Sequence, residues 1–496
     1  MASSTRRRTI LVASLLVVAA VYRLALGTQY YGWEESDYGN LAMVRGVLES
    51  GFRHYDMNHL PMYYGLSAAV MGVVGDAVVA SRFVSLVAGV LTVGLAVVLA
   101  DRLVGRSIAW VVGLVCVVQP ELALYAASSL REPVYAAAVL GCLVALSRER
   151  LAVASLMAGV AFLTRMDAAL TLGPVLLLHA LGRGPRPTRL LAAVGPLVLA
   201  GLAWSFYCSQ VHGTWAFWGH SVAVNIETGG SEEQLGGMEW LLGGVRVCLA
   251  LLFEVLPSRI GWGLFIGYFV GLLVVPWRRH DPRRTVAVAS LLLLGFWLGI
   301  GLTAQHDPGH NLYWKWLHGV LPPMLLIGCI GVFRVAHHAR AAGGRLGVAM
   351  LVLVVAGQGI WAAATETQRQ VALSKELYQP QLELAQWIES EVPESVPLLV
   401  DNIPGCWLDR RDHNRELHTW FDVPVPPEDR QAFAAWLGSE RIGYVLWFRE
   451  DWTQAPVIAP WLATAVPHKL GRVVLVPMRE EPGYGWILYK VEHIDG

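Results

Sequence analysis

The sequence is short of charge. Only 15% of its 496 residues are Asp, Glu, Lys or Arg, while 55% are hydrophobic; a soluble globular chain carries about 25% charged residues. A chain this poor in ionisable side chains cannot clothe itself in a hydrated surface, which excludes the ordinary soluble fold classes. Net charge is absent as well, 38 basic residues balancing 38 acidic ones, so no bulk positive field exists to hold a nucleic acid. Cysteine is sparse, six in all and scattered. Cys116, Cys142 and Cys329 stand inside apolar runs, where cysteine acts as a small hydrophobe, and Cys406 is isolated near the end. No CxxC or Cys/His spacing suits a metal. Cys208 and Cys248 are the one pair that could meet in a disulfide. Internal repeats and low-complexity tracts are missing too.

What the sequence has instead is long apolar runs. A spanning helix needs about 20 apolar residues, and windows meeting that need cover 9–27, 82–100, 107–126, 131–147, 151–164, 168–182, 189–208, 259–276, 285–303, 317–333 and 346–364, eleven spans of which the fifth and sixth are short enough to form one broken hairpin. The first run follows Arg6, Arg7 and Arg8. It is read as a retained helix rather than a leader peptide, since no small-x-small site precedes Tyr30 and many more spans follow. Arginine is sorted along the chain. With the N-terminus in the cytoplasm, the inside segments hold Arg6 to Arg8, Arg102 and Arg106, Arg148 and Arg150, Arg183, Arg186 and Arg189, Arg278 to Arg284, and Arg334, Arg340 and Arg345. The longer outside segments hold far fewer, which fixes the orientation and puts the C-terminus outside. Residues 61–75 and 238–257 are also apolar, but counting either alone would throw the Arg278–Arg284 cluster outside. Both are read as helices at the outer interface, which suits Arg246 and Glu254.

Beyond residue 366 charge and proline rise and no spanning window remains. Residues 376–393 and 426–440 have helical spacing, while 396–401, 443–448, 472–477 and 486–491 are short apolar runs that read as buried strands. The expected architecture is mainly α. A polytopic transmembrane bundle of about eleven spans over 1–365, with a first outer loop at 28–81 and an outer segment at 209–258, precedes a small extracytoplasmic α/β domain over 366–496.

Chemistry gathers in the first outer loop, which opens YYGWEESDY. Glu34, Glu35 and Asp37 lie within a few residues of the first span. Such acids are either solvated loop charge or a catalytic carboxylate that takes the proton of an acceptor hydroxyl as its oxygen attacks an anomeric carbon. The loop continues through NHLPMYY, where His59 and the tyrosines could bind sugar hydroxyls. An acidic pair just after the first span, then Tyr and an amphipathic helix, then H-x-P-x-Y-Y, then ASRFVSLVAGVLTVGLAVVLADRLVGR, resembles the GT-C superfamily of membrane glycosyltransferases. The nearest groups are the protein O-mannosyltransferase-like and lipid A aminoarabinose transferase-like enzymes.

The resemblance covers roughly 1–335 and, more loosely, the outer C-terminal domain. It puts Glu34 at the place of the catalytic acid, with Glu in place of the family's usual Asp, so Glu35 shares the candidacy, and it places Asp37 and Tyr38 in the substrate-binding stretch with His59 and Tyr63. ALYAASSLREPVYAA resembles the family's second outer loop, with Glu132 as the acid before proline. GVAFLTRMDAAL makes Arg165 a candidate for holding a lipid-linked phosphate, and NLYWKWLHGVLPP makes Lys315 a second. Each has an ordinary alternative: Arg165 pairing with Asp167 or Glu132, Glu132 with Arg131, and Lys315 snorkelling beside Trp314 and Trp316. The implied function is an inverting transfer of a sugar from a polyprenyl-phosphate donor to an envelope lipid, polysaccharide or protein acceptor, in a bacterial plasma membrane. No cofactor is expected. QHDPGH at 305–310 is the one stretch with a metal-like look, Pro308 argues against the helix its spacing needs, and a divalent ion is left open. A transporter or lipid flippase, and a non-enzymatic envelope assembly protein, are the rival classes.

Overall fold

A computed structural model describes residues 2–30, 35–53, 59–184, 186–216, 237–278, 281–304, 311–400, 416–420, 423–424, 429–448, 459–481 and 485–493. The chain divides into two compact units, one of residues 1–32 and 43–371, the other of 33–42 and 372–496. The second unit thus takes in a piece of the first outer loop as well as the C-terminal region.

The first unit is a helical bundle. In chain order it contains α1 (Ala2–Gly27), the end of α2 (Glu35–Ser50), α3 (Pro61–Val74), α4 (Ala77–Val104), α5 (Arg106–Val118), α6 (Pro120–Leu124), α7 (Glu132–Ser147), α8 (Leu151–Phe162), α9 (Asp167–Gly182) and α10 (Pro187–His212). Then come α11 (Gly237–Ala250), a π turn, α12 (Leu256–Ile260), α13 (Trp262–Val274), α14 (Pro282–Ala304) and most of α15 (Asn311–Glu391). Helix α7 is apolar all round and buried along almost its whole length, as expected for the central helix of a bundle. The outer helices show many apolar side chains outward, among them Val73 at 86% exposure and Leu273 at 82%, a continuous apolar surface suited to a lipid surround.

Among the described residues five helices are long and apolar enough to cross a membrane, or six when the bent pair α5–α6 counts as one span. The eleven windows of the sequence reappear differently. Helix α8 has 12 residues, about 18 Å of rise against a hydrocarbon core of about 30 Å. The turn that follows it is therefore sunk below the level a full span would reach. The last two windows, 317–333 and 346–364, fall in the single helix α15, of 81 residues. That helix turns back on itself. Its Gly328 lies against the Leu264 carbonyl and its Gly359 against the Leu264 side chain, points about 46 Å apart along a straight helix.

Helices α13 and α15 touch backbone to backbone. A Cβ at Gly267 or Gly271 would strike the carbonyls of Gly328 or Ile327, and one at Gly331 would strike that of Gly267. This is the small-residue packing of membrane helices. The break between α5 and α6, a 66° bend, has an equally local cause. Pro120 has no N–H for the Cys116 carbonyl four residues back, and that orphan accepts instead from Arg23 Nη2 at 3.3 Å. Arg23 is fully buried in α1 and also donates to the Ala19 carbonyl.

Two ends of the bundle are chemically distinct. At one end Arg102 Nε donates to the Ser147 carbonyl at 2.7 Å, Arg183 pairs with Glu149 at 2.5 Å and His179 bonds Thr285. The other end holds the starts of α4, α7 and α9, the end of α14 and the turn after α8. The segment 241–260 is long enough to cross, yet Gly244 abuts Leu302 and Arg259 pairs with Glu121, both at this second end. Helix α3 likewise starts with Met62 N–H on the Leu163 carbonyl and passes directly into α4. Cys208 and Cys248 are free thiols; Cys248 Sγ is occupied with the Leu298 carbonyl.

The second unit carries the end of α15, α16 (Arg430–Ser439) and a six-stranded sheet of β1 (Leu398–Val400), β2 (Leu417–Thr419), β3 (Tyr444–Phe448), β4 (His468–Leu470), β5 (Val473–Glu481) and β6 (Trp486–His493), in the order β2-β1-β3-β6-β5-β4. The β2-β1-β3 side is parallel and the rest antiparallel. Asp429 caps α16 through the N–H groups of Gln431 and Ala432, and Trp420, Phe433 and Leu437 pack beneath the sheet. The four expected strands are present. Strands β2 and β4, three residues each, are too short to leave an apolar period.

Candidate active site

Two helices begin with an acid at the second end of the bundle. Glu132 opens α7 ahead of Pro133, and Asp167 opens α9, positions favoured by the partial positive charge of a helix start. The turn between α8 and α9 carries Arg165 between them. Its Nη1 is 2.9 Å from Glu132 Oε1 and its Nε 3.2 Å from Asp167 Oδ1, while Tyr135, one turn along α7, donates to Asp167 Oδ2 at 2.5 Å. Trp316 lies flat against the guanidinium, 4.0 Å from the ring centre, a favourable cation–π contact. The Lys315 carbonyl accepts a long bond from Arg165 at 3.4 Å. Gly319 admits the Tyr135 ring, since any Cβ there would overlap it.

The cluster is dry. Arg165, Asp167 and Glu132 are at most 5% exposed. Glu132 Oε2 is buried with no hydrogen-bond partner among the described residues, although Arg131 stands 3.9 Å from its fellow oxygen. A buried carboxylate oxygen left open is costly, and it marks a place where a hydroxyl could be received.

A second buried network adjoins the first through α15. Three residues beyond Lys315, His318 Nε2 donates to the Glu121 carbonyl at 2.7 Å and its ring faces Tyr125 at 4.1 Å. The Glu121 carboxylate is held by Gln119 at 2.5 Å and by Arg259 at 3.2 Å. Arg259 also pairs with Glu366, which in turn binds Gln370 and Arg369. His318 and Glu366, on the two arms of α15, are therefore linked through Glu121, the first directly and the second by way of Arg259.

The expected site residues fall into three groups. Glu132, Arg165 and Lys315 are brought together. Tyr63 is fully buried, its hydroxyl 3.4 Å from the Ser81 carbonyl, and it meets Tyr64, which meets His59, ring to ring; Met62 ties this stretch to Leu163, two residues before Arg165. Glu34 lies outside the described residues, and Glu35, Asp37 and Tyr38 sit in the first turns of α2 with their side chains outside them. The stretch 305–310 is outside them too, and among the described residues no group of three His, Cys, Asp or Glu could hold a metal ion. Sequence reasoning passed over Tyr135, Glu121, Arg259 and Glu366. Part of the signal was available: a carboxylate in the apolar run 107–126 demands a partner, though several outside arginines, Arg82, Arg246 and Arg259 among them, could have supplied it.

No protein-family profile matches the chain, and no curated protein sequence does. Solved structures do. ArnT from Cupriavidus metallidurans bound to undecaprenyl phosphate superposes with a TM-score of 0.61 at 14% identity, covering 98% of each chain. Its apo state gives 0.60 at 15% over the same span. The Archaeoglobus fulgidus oligosaccharyltransferase in complex with Zn and sulfate gives 0.51 at 12%, covering 87% of this chain and 67% of that one. The chain shares the fold of these structures, a polytopic transmembrane bundle followed by a small domain with a sheet. The resemblance carried by a few loop motifs thus extends, as fold, over the whole chain.

Proposed function

We propose that the chain is a membrane glycosyltransferase. It moves one sugar, a hexose or pentose, from a polyprenyl-phosphate donor to a hydroxyl of an envelope acceptor, with inversion, on the extracytoplasmic side of a bacterial plasma membrane. The observation that carries the reading is the buried Glu132–Arg165–Asp167 arrangement with its open carboxylate oxygen, set in a fold that matches along its full length a protein solved with undecaprenyl phosphate.

In this reading Glu34, or its neighbour Glu35, takes the proton of the acceptor hydroxyl while that oxygen bonds to the anomeric carbon. The bond from that carbon to the phosphate oxygen breaks, its electron pair leaves with the phosphate, and the proton stays on the glutamate until solvent removes it. Glu132 Oε2 holds the acceptor hydroxyl. Arg165 already balances two acids, so the extra positive charge for a leaving phosphate comes from Lys315 and Arg131, with Arg165 fixing the geometry. Asp37, Tyr38 and His59 contact the sugar. Tyr63 supports them from behind, since its hydroxyl is spent on α4.

Transfer from a polyprenyl-phosphate sugar in proteoliposomes tests the assignment. Glu34→Gln should lower the rate about 10²- to 10⁴-fold, the range for a lost general base. Full activity in Glu34→Gln and in Glu35→Gln alike would overturn it. Impermeant thiol labelling of cysteines introduced at Lys315 and Arg186 tests sidedness. Reaction of both from one face would sink the extracytoplasmic placement.

A further inference from the structure

The arginine end of the bundle holds a cleft that the chemistry at the opposite end leaves unused. It is open, about 400 Å3 in volume, and is lined by Glu149, Arg150, Arg186, Thr188 and Arg189 with the start of α8 at 151–153. Its one acid is already neutralised by Arg183. Arg189 is braced, its Nη1 donating to the Arg183 carbonyl. Arg150 and Arg186 are exposed and hold no side-chain hydrogen bond or ion pair among the described residues. Backbone bonds fix where they stand. Glu149 takes a left-handed φ of 60° and the Arg150 N–H returns to the Ala145 carbonyl, a tight helix ending that aims the next residue into the cleft.

Two further observations give the ligand's chemistry. Helices α8 and α10 both begin at this cleft and neither has a side-chain cap, so the N–H groups of 151–153 and of Thr188 are offered to an anion along with the guanidinium groups. The outward faces of the same helices are apolar directly beyond it. Leu156 is 54% exposed on α8, and Leu191 and Leu199 are 70% and 66% exposed on α10. A cationic cup continuous with two bare apolar ridges matches a molecule with an anionic head and hydrocarbon tails.

We infer that this cleft binds the phosphate head group of an anionic phospholipid, its acyl chains lying along α8 and α10. The site is separate from sugar transfer and does not rest on that reading.

The test is titration of phosphatidylglycerol into delipidated, detergent-solubilised full-length protein, followed by native mass spectrometry. The double variant Arg150→Gln/Arg186→Gln removes only exposed side chains that hold no partner among the described residues, so it should unfold at the wild-type temperature in lipid-free detergent. It should bind phosphatidylglycerol about 25-fold more weakly, about fivefold for each arginine, with phosphatidylcholine binding unchanged. Equal phosphatidylglycerol affinity in variant and wild type would overturn the site, as would equal affinity of the wild type for the two lipids. Inorganic phosphate separates the sources of the anion. If it displaces phosphatidylglycerol at comparable concentration, the tails contribute nothing and the lipid assignment fails.

Discussion

The two ends of the bundle solve the problem of charge in opposite ways. At the arginine end the cations are numerous, and those of the cleft outnumber its single acid. At the other end two cations are deeply buried, and each of them is shared by two carboxylates: Arg165 by Glu132 and Asp167, Arg259 by Glu121 and Glu366. An exposed guanidinium costs its helix little and is replaceable. A buried one that neutralises two acids is held by everything around it, because removing it leaves two uncompensated charges in a dry place. The comparison teaches that arginine count and arginine importance run in opposite directions in this molecule.

The sharpest way to break that comparison is to delete one arginine from each end. Arg165→Met should destabilise the bundle by about 3–5 kcal/mol, the range for breaking a buried pair, whereas Arg186→Gln should stay within about 0.5 kcal/mol of wild type. Thermal unfolding in one detergent reads both, and similar shifts would refute the contrast. Restoring balance by adding Glu132→Gln and Asp167→Asn to Arg165→Met should recover much of the loss.

A smaller effect is expected at the third kind of arginine, Arg23, which has no acid partner among the described residues and serves the Cys116 carbonyl orphaned by Pro120. Arg23→Met should cost about 1–3 kcal/mol for the carbonyl left bare. In Pro120→Ala the chain supplies its own N–H, so the same change should cost measurably less. A double-mutant cycle with no coupling would show that Arg23 has another purpose.

The smallest effect belongs to the arginine end. Asp281 accepts from the Arg283 N–H at 2.8 Å and from its guanidinium at 2.7 Å, and these bonds hold its carboxyl below the usual range. Because the folded pKa is depressed, the pair's stabilisation is present above the unfolded value of about 3.9 and fades as pH falls through the folded one. Asp281→Asn should therefore cost less than about 1 kcal/mol at neutral pH, and the difference from wild type should vanish in strong acid. A difference that grows on acidification would reverse the assigned sign.

Much of this was legible in the sequence, for reasons tied to particular residues. Long apolar runs and clustered arginines expose a membrane bundle because hydrocarbon imposes its rules on composition directly. The pairing of Arg165 with Asp167 and Glu132 could be weighed because all three stand beside proline or at a turn, where side chains of neighbouring helices converge. The Glu121–Arg259–Glu366 network was not foreseen, since its members are separated by more than a hundred residues and only the reversal of α15 brings Glu366 back to Arg259. The length of α8 was readable, but not its result, a turn that sets Arg165 between Glu132 and Asp167.

The glycine seam between α13 and α15 has a consequence for descent. At Gly267, Gly271, Gly328 and Gly331 the room for even one methyl is occupied by a facing carbonyl or helix, so inheritance at these positions is policed by geometry alone. Under the proposed function, lineages that exchange donor sugars or acceptors can rewrite the loops around Glu34 and Lys315. They cannot rewrite this seam one letter at a time, and in distant cousins these glycines should outlast residues that touch the substrate.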